Sequence, residues 1–183
     1  MERTEDKRRL NRELNRECQG YRLRANKPDG AYIEEYGMFF NINKIKRLIE
    51  RGANVRAQYR DGYAPLHLVA FRNIEIAKLL IVSGADVRAK NKNGETPLHM
   101  AVGRKNIAIA KLLIDSGADV RAEDNYGNTP LHLAIWVDNI VTAKLLIDSG
   151  ADVGAKTKHG TTPLDRAYSQ EMKTLLIEHG ATK

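Results

Sequence analysis

The sequence Thr-Pro-Leu-His-Met-Ala at residues 96–101 recurs in related forms along the chain. It returns as Thr-Pro-Leu-His-Leu-Ala at residues 129–134, as Ala-Pro-Leu-His at 64–67 and as Thr-Pro-Leu-Asp at 162–165. The prolines of these stretches lie 32, 33 and 33 residues apart, and a glycine three residues before each proline keeps the same spacing. A motif at so constant an interval indicates an array of structural repeats.

Each copy of the motif predicts a pair of short helices. Thr96 is a favourable helix N-cap, and Pro97 occupies the first helical position, where its missing N–H removes no hydrogen bond. A second apolar pattern, with i, i+3, i+4 spacing, spans residues 109–113 and is followed by Gly117, which suits the left-handed conformation that ends helices. Two helices of about 7 to 10 residues bury too little apolar surface alone. The repeats must therefore be stabilised by stacking on one another.

The period and the Thr-Pro-Leu-His-x-Ala motif resemble the ankyrin repeat family. The resemblance extends over about residues 41–181 and implies an all-α solenoid of stacked helix-turn-helix units with projecting hairpin loops. We expect a charged arm at residues 1–27 and an ankyrin repeat domain at 28–183, making a complete protein. The units expected are an N-terminal capping repeat at 28–57, full repeats at 58–90, 91–123 and 124–156, and a C-terminal capping repeat at 157–183. Residues 31–38 are predicted to form a weak first helix in the first unit.

The composition favours a soluble, elongated domain. The 183 residues are 42% hydrophobic and 29% charged, and no apolar run approaches the roughly 20 residues of a membrane span. The N-terminus lacks the apolar core of a secretory signal peptide, and the single cysteine, Cys18, can form no internal disulfide. We therefore expect an intracellular, cytoplasmic protein, with export as an effector as the alternative that the same sequence features allow.

The arm at residues 1–27 carries much of the positive charge. The net charge is +7, and nine Lys/Arg against five Asp/Glu give this segment +4. Leu10, Leu14, Cys18 and Tyr21 lie close to one helical face, so the arm is either a helix docked on the first repeat or a solvated leader. Its arginine-rich side could contact phosphates, although the interspersed acidic residues weigh against nucleic acid. The arginines on that side are Arg8, Arg9, Arg12 and Arg16.

Nothing in the sequence has the pattern of a catalytic, cofactor or metal site. His67, His99 and His132 occupy equivalent positions in stacked repeats, about 10 Å apart, which is too far for shared coordination of zinc. The resemblance implies that these histidines instead anchor helix starts through hydrogen bonds. Because no phosphate-binding loop, nucleophile elbow or Cys/His cluster occurs, we expect no enzymatic activity, no cofactor and no metal.

In ankyrin folds the hairpin loops project as fingers and, with the first helices, line a concave face where partners bind. Residues there that depart from the repeat pattern should contact the partner, since stacking constrains the others. Aromatic residues and arginine are also enriched in interface hot spots. For Phe71 and Trp136 the alternative is packing inward between the paired helices. The predicted partner-binding residues are Tyr59, Arg60, Tyr63, Phe71, Arg72, Lys92, Glu95, Arg104, Tyr126, Asn128 and Trp136.

The sequence thus predicts a protein-protein interaction module or adaptor that is monomeric and binds an unidentified protein. The alternative from another class is a nucleic-acid or anionic-membrane binder led by the basic arm, which predicts steep salt dependence. A third interpretation is an inert spacer or self-associating array.

Overall fold

The computed structural model describes residues 2–19, 21–26, 32–39 and 41–182, with side chains for residues 4–19 and 41–182. An N-terminal helix and a two-stranded hairpin come first. They are followed by one helix that matches the second helix of a repeat, and then by four helix pairs. A 3-10 turn, Arg60–Gly62, lies in the first loop. The elements are α1 Glu2–Gln19, β1 Tyr21–Asn26, β2 Tyr32–Phe39, α2 Ile42–Glu50, α3 Pro65–Val69, α4 Ile74–Val82, α5 Pro97–Gly103, α6 Ile107–Asp115, α7 Pro130–Trp136, α8 Ile140–Asp148, α9 Pro163–Arg166 and α10 Gln170–Glu178.

Side-chain caps start α5, α9 and all four second helices, whereas no side-chain cap bond starts α3 or α7. In the most regular repeat, Thr96 caps α5 and Pro97 is its first residue, as the motif predicts. The second helix, α6, starts at Asn106, whose side-chain oxygen accepts a hydrogen bond from the N–H of Ile109 at 3.1 Å. Gly117 follows this helix with φ of 87°. Local sequence therefore defines the helix ends before any tertiary contact is considered.

The helices stack into two layers. The first helices α3, α5, α7 and α9 pack side by side, and the second helices α4, α6, α8 and α10 do the same. Leu66, Leu98 and Leu131 are fully buried in the first layer, and Leu80, Leu113 and Leu146 are fully buried in the second. One hydrophobic core runs the length of the array. The predicted all-α repeat solenoid is confirmed.

Backbone hydrogen bonds join the successive hairpin loops, which we call fingers 1 to 4 (residues 59–63, 91–95, 124–128 and 157–161). The N–H of Lys92 in finger 2 donates to the carbonyl of Asp61 in finger 1 at 2.8 Å. This close approach requires glycine, because a Cβ on Gly62 would lie 2.8 Å from the Lys92 nitrogen. Gly62 also has a φ of +78°, in the region that glycine adopts most readily. Gly94 and Gly127 approach the next finger equally closely, so this contact explains the regular glycine spacing in fingers 1 to 3.

The hairpin corrects one prediction. Residues 32–39 form strand β2, which pairs antiparallel with β1 so that Tyr21 faces Phe39 and Asn26 faces Tyr32. The helix predicted for residues 31–38 is therefore wrong over residues 32–38, and residue 31 lies outside the described part of the chain. The aromatic and β-branched residues of this stretch favour a strand. The Lys-Pro-Asp-Gly turn signal at residues 27–30 also lies outside the described residues.

Helix α1 occupies the place of the first helix in the N-terminal unit. The sequence pattern predicts that helix at residues 31–38, of which residues 32–38 lie in strand β2 instead. Helix α1 packs against both α2 and α3, just as α5 packs against its own partner α6 and the next first helix α7. Leu14 and Cys18 of α1 are fully buried in the core, and burial raises the pKa of the Cys18 thiol to about 12. Residues 2–19 of the arm are a docked helix, and residues 21–26 form strand β1. The domain boundary at residue 28 stays a prediction.

Polar contacts hold α1 in place at several points along its length. The side-chain oxygen of Asn11 accepts from the N–H of Asn54 at 2.8 Å. The ammonium of Lys44 lies 2.8 Å from the carboxylate of Glu17 and 3.2 Å from that of Glu13. Glu17 is buried, so its charge is paired as a buried carboxylate requires.

Candidate functional site

The motif histidines link neighbouring repeats. The N–H of Thr96 donates to Nδ1 of His99 at 3.1 Å, and Nε2 of His99 lies 3.1 Å from the carbonyl oxygen of Asn128 in finger 3. Because Nδ1 accepts, the ring is neutral and its Nε2–H donates to the next repeat. His67 and His132 make the same two contacts. These histidines act in the scaffold.

The last unit keeps half of this arrangement. Asp165 stands where the other repeats have histidine, and its carboxylate accepts from the N–H of Thr162 at 2.8 Å. The carboxylate has no donor with which to reach a following carbonyl. Asp165 therefore supports the start of α9 without forming an inter-repeat link.

The histidine links predict acid sensitivity of the stack. Burial lowers the pKa of His67, His99 and His132 below the usual 6.5, and hydrogen bonds to backbone carbonyls oppose this only in part. Between the lowered pKa values and 6.5, the unfolded chain binds more protons than the folded chain, so the free energy of unfolding falls as the pH falls through that window. Each histidine contributes at most about 1.4 kcal/mol per pH unit. We expect a lower urea midpoint at about pH 5.5 than at about pH 7.5.

A His99→Gln variant provides the matched comparison for this acid sensitivity. Glutamine retains an amide donor and acceptor but does not titrate. We expect its stability to depend on pH about one third less steeply than that of the unchanged chain, whatever its absolute stability. An unchanged slope would show that the histidine links do not cause the acid sensitivity.

Some of the predicted finger residues have exposed side chains, and others are hydrogen-bonded within their own loops. Tyr59, Arg60, Lys92 and Tyr126 are exposed, and Tyr126 is the most open of the aromatic ones at 64%. The ammonium of Lys92 lies 3.4 Å from the carboxylate of Asp61, an exposed pair of little energetic weight.

Two other finger positions are occupied by contacts within their own loops. The carboxylate of Glu95 accepts from the side-chain amide of Asn91 at 2.8 Å. The amide of Asn128 donates to the carboxylate of Asp124 at 2.9 Å. Glu95 and Asn128 therefore have structural partners that the sequence did not reveal, and this reduces what they can offer a ligand.

Phe71 lies at the centre of an arginine-aromatic cluster, patch A, with Tyr63, Arg72 and Arg104. The guanidinium carbons of Arg72 and Arg104 lie 4.6 Å and 5.3 Å from the centre of the Phe71 ring, within range of cation-π attraction. Nη1 of Arg72 donates to the carbonyl of Gln19 at the end of α1. Burial and the neighbouring Arg104 lower the pKa of Arg72. Patch A thus concentrates positive charge around a half-buried aromatic ring.

Tyr63 connects finger 1 to patch A. Its ring lies edge-on to His67, with ring centres 5.8 Å apart. Burial and the nearby Glu95 raise the pKa of Tyr63, whereas a hydrogen bond with Asn91 and, more weakly, Arg104 act in the opposite direction. The phenol is therefore neutral and half-buried, in contact with the scaffold histidine.

Trp136 and Arg166 form a second cluster, patch B. Trp136 is 62% exposed, and the guanidinium carbon of Arg166 lies 6.0 Å from the centre of its ring. Nη1 of Arg166 also donates to the side-chain oxygen of Asn128 in finger 3 at 3.0 Å. The alternative that Trp136 packs inward between the paired helices is thus wrong. The side chain of Phe71 is half-buried. Sequence analysis missed Arg166 because the last unit was interpreted only as a polar cap.

Gly103 has no side chain at the position equivalent to Phe71 and Trp136, and we call the open space beside it the notch. Gly103 lies six residues after its motif proline, as Phe71 and Trp136 do in their repeats. A Cβ at Gly103 would meet no other atom within 4 Å, so the space beside it is open. The middle repeat therefore leaves a gap where its neighbours carry aromatic rings.

A second set of arginines crosses between repeats on the side of the second helices. The Nε atoms of Arg88 and Arg121 donate to the carbonyls of Gly117 and Gly150 at 2.9 Å and 2.8 Å, and Arg56 makes the equivalent bond to Gly84. Each places a positive charge at the C-terminal end of a helix, where the helix dipole favours it. The recurring Val-Arg at these positions is a signal of this role that we did not use in the sequence analysis.

Comparisons with known proteins agree with this architecture. The family model described as "Ankyrin repeats (3 copies)" matches residues 36–124 and 69–157. No curated protein matches the chain. Across the described ranges, no helix is long and apolar enough to cross a membrane, and no group of three or more His, Cys, Asp or Glu side chains could hold a metal ion. Ankyrin repeats are generally protein-protein interaction modules and are typically non-enzymatic. The chain belongs to the ankyrin repeat family.

Proposed function

We propose that this protein is a monomeric interaction module that binds a protein partner through its concave face, formed by the fingers and the ends of the first helices. The observation that carries the proposal is Trp136, which is 62% exposed next to an arginine. A large aromatic ring exposed beside a guanidinium is the kind of group that dominates protein interfaces. Stacking against neighbouring repeats gives this surface a fixed shape before binding.

Patches A and B suggest the chemistry of the partner. Both combine an aromatic ring with guanidinium groups, and they lie two repeats apart, about 20 Å at about 10 Å per packed layer. The partner should therefore present carboxylates at two points about 20 Å apart. The notch at Gly103 belongs to the repeat between those of Phe71 and Trp136 and could receive an apolar side chain.

Filling the notch tests this proposal. Candidate partners are first captured from a nuclease-treated lysate at low and at high salt, and their affinity is then measured for Gly103→Tyr and Gly103→Ala variants. Because a Cβ at Gly103 meets no atom, the alanine variant should bind as the unchanged chain does. The tyrosine ring should block the notch and weaken binding by about tenfold or more, which is about 1.4 kcal/mol.

Equal binding by both variants would contradict a site at the notch. Capture that disappears with nuclease or high salt would instead favour the alternative function, nucleic-acid or membrane binding through the arm. Deleting the arm cannot separate these functions, because the deletion would remove the buried Leu14 and Cys18. Point substitutions of exposed side chains are needed.

A further inference from the structure

Two adjoining cavities lie between α1 and finger 1, away from the notch. The larger, about 500 Å³, is lined by Arg9, Arg12, Glu13, Arg16, Gln19 and Tyr59; we call it the arginine cavity. The smaller, about 260 Å³, shares Arg12 and Tyr59 and adds the buried Asn15; we call it the amide cavity. We propose that together they bind a nucleoside diphosphate, with the phosphates in the arginine cavity and the base in the amide cavity.

The arginine cavity offers guanidinium groups that are free to bind an anion. Arg9, Arg12 and Arg16 follow one another at helical spacing and line the same cavity. In the part of the chain with described side chains, no carboxylate lies within 4.0 Å of Arg9 or Arg12. Planar guanidinium groups bind phosphate oxygens through paired N–H donors. The cavity therefore matches a ligand with more than one phosphate.

Glu13 is the acidic group in the arginine cavity, and its charge is largely balanced. Its carboxylate lies 3.2 Å from the ammonium of Lys44 and 4.0 Å from Arg16. The hydrogen bond from Lys44 lowers the pKa of Glu13, so it remains an ionised acceptor. A carboxylate beside a phosphate site can accept hydrogen bonds from ribose hydroxyls, as the acidic residue of dinucleotide-binding folds does.

Asn15 provides a recognition group without a partner among the residues with described side chains. Its side chain is 2% exposed, yet neither Oδ1 nor Nδ2 has a hydrogen-bond partner within the described part of the chain. Buried amides are normally hydrogen-bonded, and an exception calls for an explanation. An amide with a free donor beside a free acceptor can pair with the edge of a nucleobase.

Tyr59 joins the two halves of the site. It lines both cavities and remains 41% exposed, so a base in the amide cavity can contact its ring. Stacking of a base on an aromatic ring contributes to binding with little dependence on base identity. The arginine cavity, at about 500 Å³, is of the size that small-molecule ligands occupy in proteins, and the amide cavity of about 260 Å³ adds to it.

Calorimetric titration of the full chain with ADP and GDP, beside pyrophosphate, tests the proposal. At least one nucleotide should bind about tenfold more tightly than pyrophosphate, since the base adds contacts that pyrophosphate lacks. Arg12→Gln should weaken binding of both kinds of ligand by about tenfold or more. Arg51→Gln is the matched control, because Arg51 is an exposed arginine that follows α2 as its C-cap and lines neither cavity; this variant should bind as the unchanged chain does.

Asn15→Leu separates ligand binding from folding. Replacing an unpartnered amide with an apolar side chain should maintain or raise the melting temperature, while nucleotide binding falls to the pyrophosphate level and pyrophosphate binding is unchanged. Trp136→Ala should leave nucleotide affinity intact, because Trp136 lines neither cavity, so this site can fail or succeed independently of the concave face. The proposal is overturned if neither nucleotide binds, if Arg12→Gln binds like Arg51→Gln, or if Asn15→Leu retains full nucleotide affinity.

Discussion

Replacing Leu98 with alanine should lower the free energy of unfolding by about 3 kcal/mol. Leu98 is fully buried in α5, which is the first helix of its repeat and packs between α3 and α7. The substitution removes buried methyl and methylene groups and leaves a cavity that rigid neighbours can close only in part. Because the site is central, it weakens contacts with both flanking repeats. Urea unfolding followed by circular dichroism measures the loss.

Val82→Ala is the control for this stability measurement. Val82 ends α4 and is 87% exposed, so its truncation should change the free energy of unfolding by less than about 0.5 kcal/mol. A loss below about 1 kcal/mol for Leu98→Ala would mean that the core does not depend on this position. A separate unfolding transition of Leu98→Ala at lower urea concentration would show that the repeats on either side of Leu98 unfold independently.

Truncating both Phe71 and Trp136 to alanine should reduce affinity for the protein partner by about three orders of magnitude. Aromatic hot-spot residues contribute about 2 kcal/mol or more each when truncated, and about 4 kcal/mol corresponds to about 10³-fold in Kd. The two rings lie in patches A and B, two repeats apart, so their single effects should add to within about 0.5 kcal/mol. Titration of the two single variants and the double variant measures this directly.

The same samples must be checked for folding, since Phe71 is half-buried and Trp136 is not. Trp136→Ala should leave the urea midpoint almost unchanged because the ring is 62% exposed. Val141→Ala, a 64% exposed residue of α8, is the matched control and should keep full affinity. Weaker binding that tracks loss of stability across the variants would contradict the assignment of these rings as contact residues.

The sequence by itself determined the repeat architecture. Capping residues such as Thr96 and Asn106, the proline at the start of the first helices and the glycine after each second helix act over fewer than about five residues, so they can be recognised locally. Their constant interval then implies stacking, because no single unit has a core. The same regularity identified the irregular positions, including Phe71 and Trp136, as candidates for contact with a partner.

Only the tertiary structure decided which residues meet across long stretches of chain. Arg72 reaches Gln19, 53 residues away, and Arg166 reaches Asn128, 38 residues away. Helix α1 replaces an expected helix by packing against α2 and α3, while residues 32–39 pair as a strand. Such contacts depend on chain direction and burial in three dimensions, and local sequence carries no periodic signal for them. The patches and the two cavities are consequences of packing rather than of the repeat pattern.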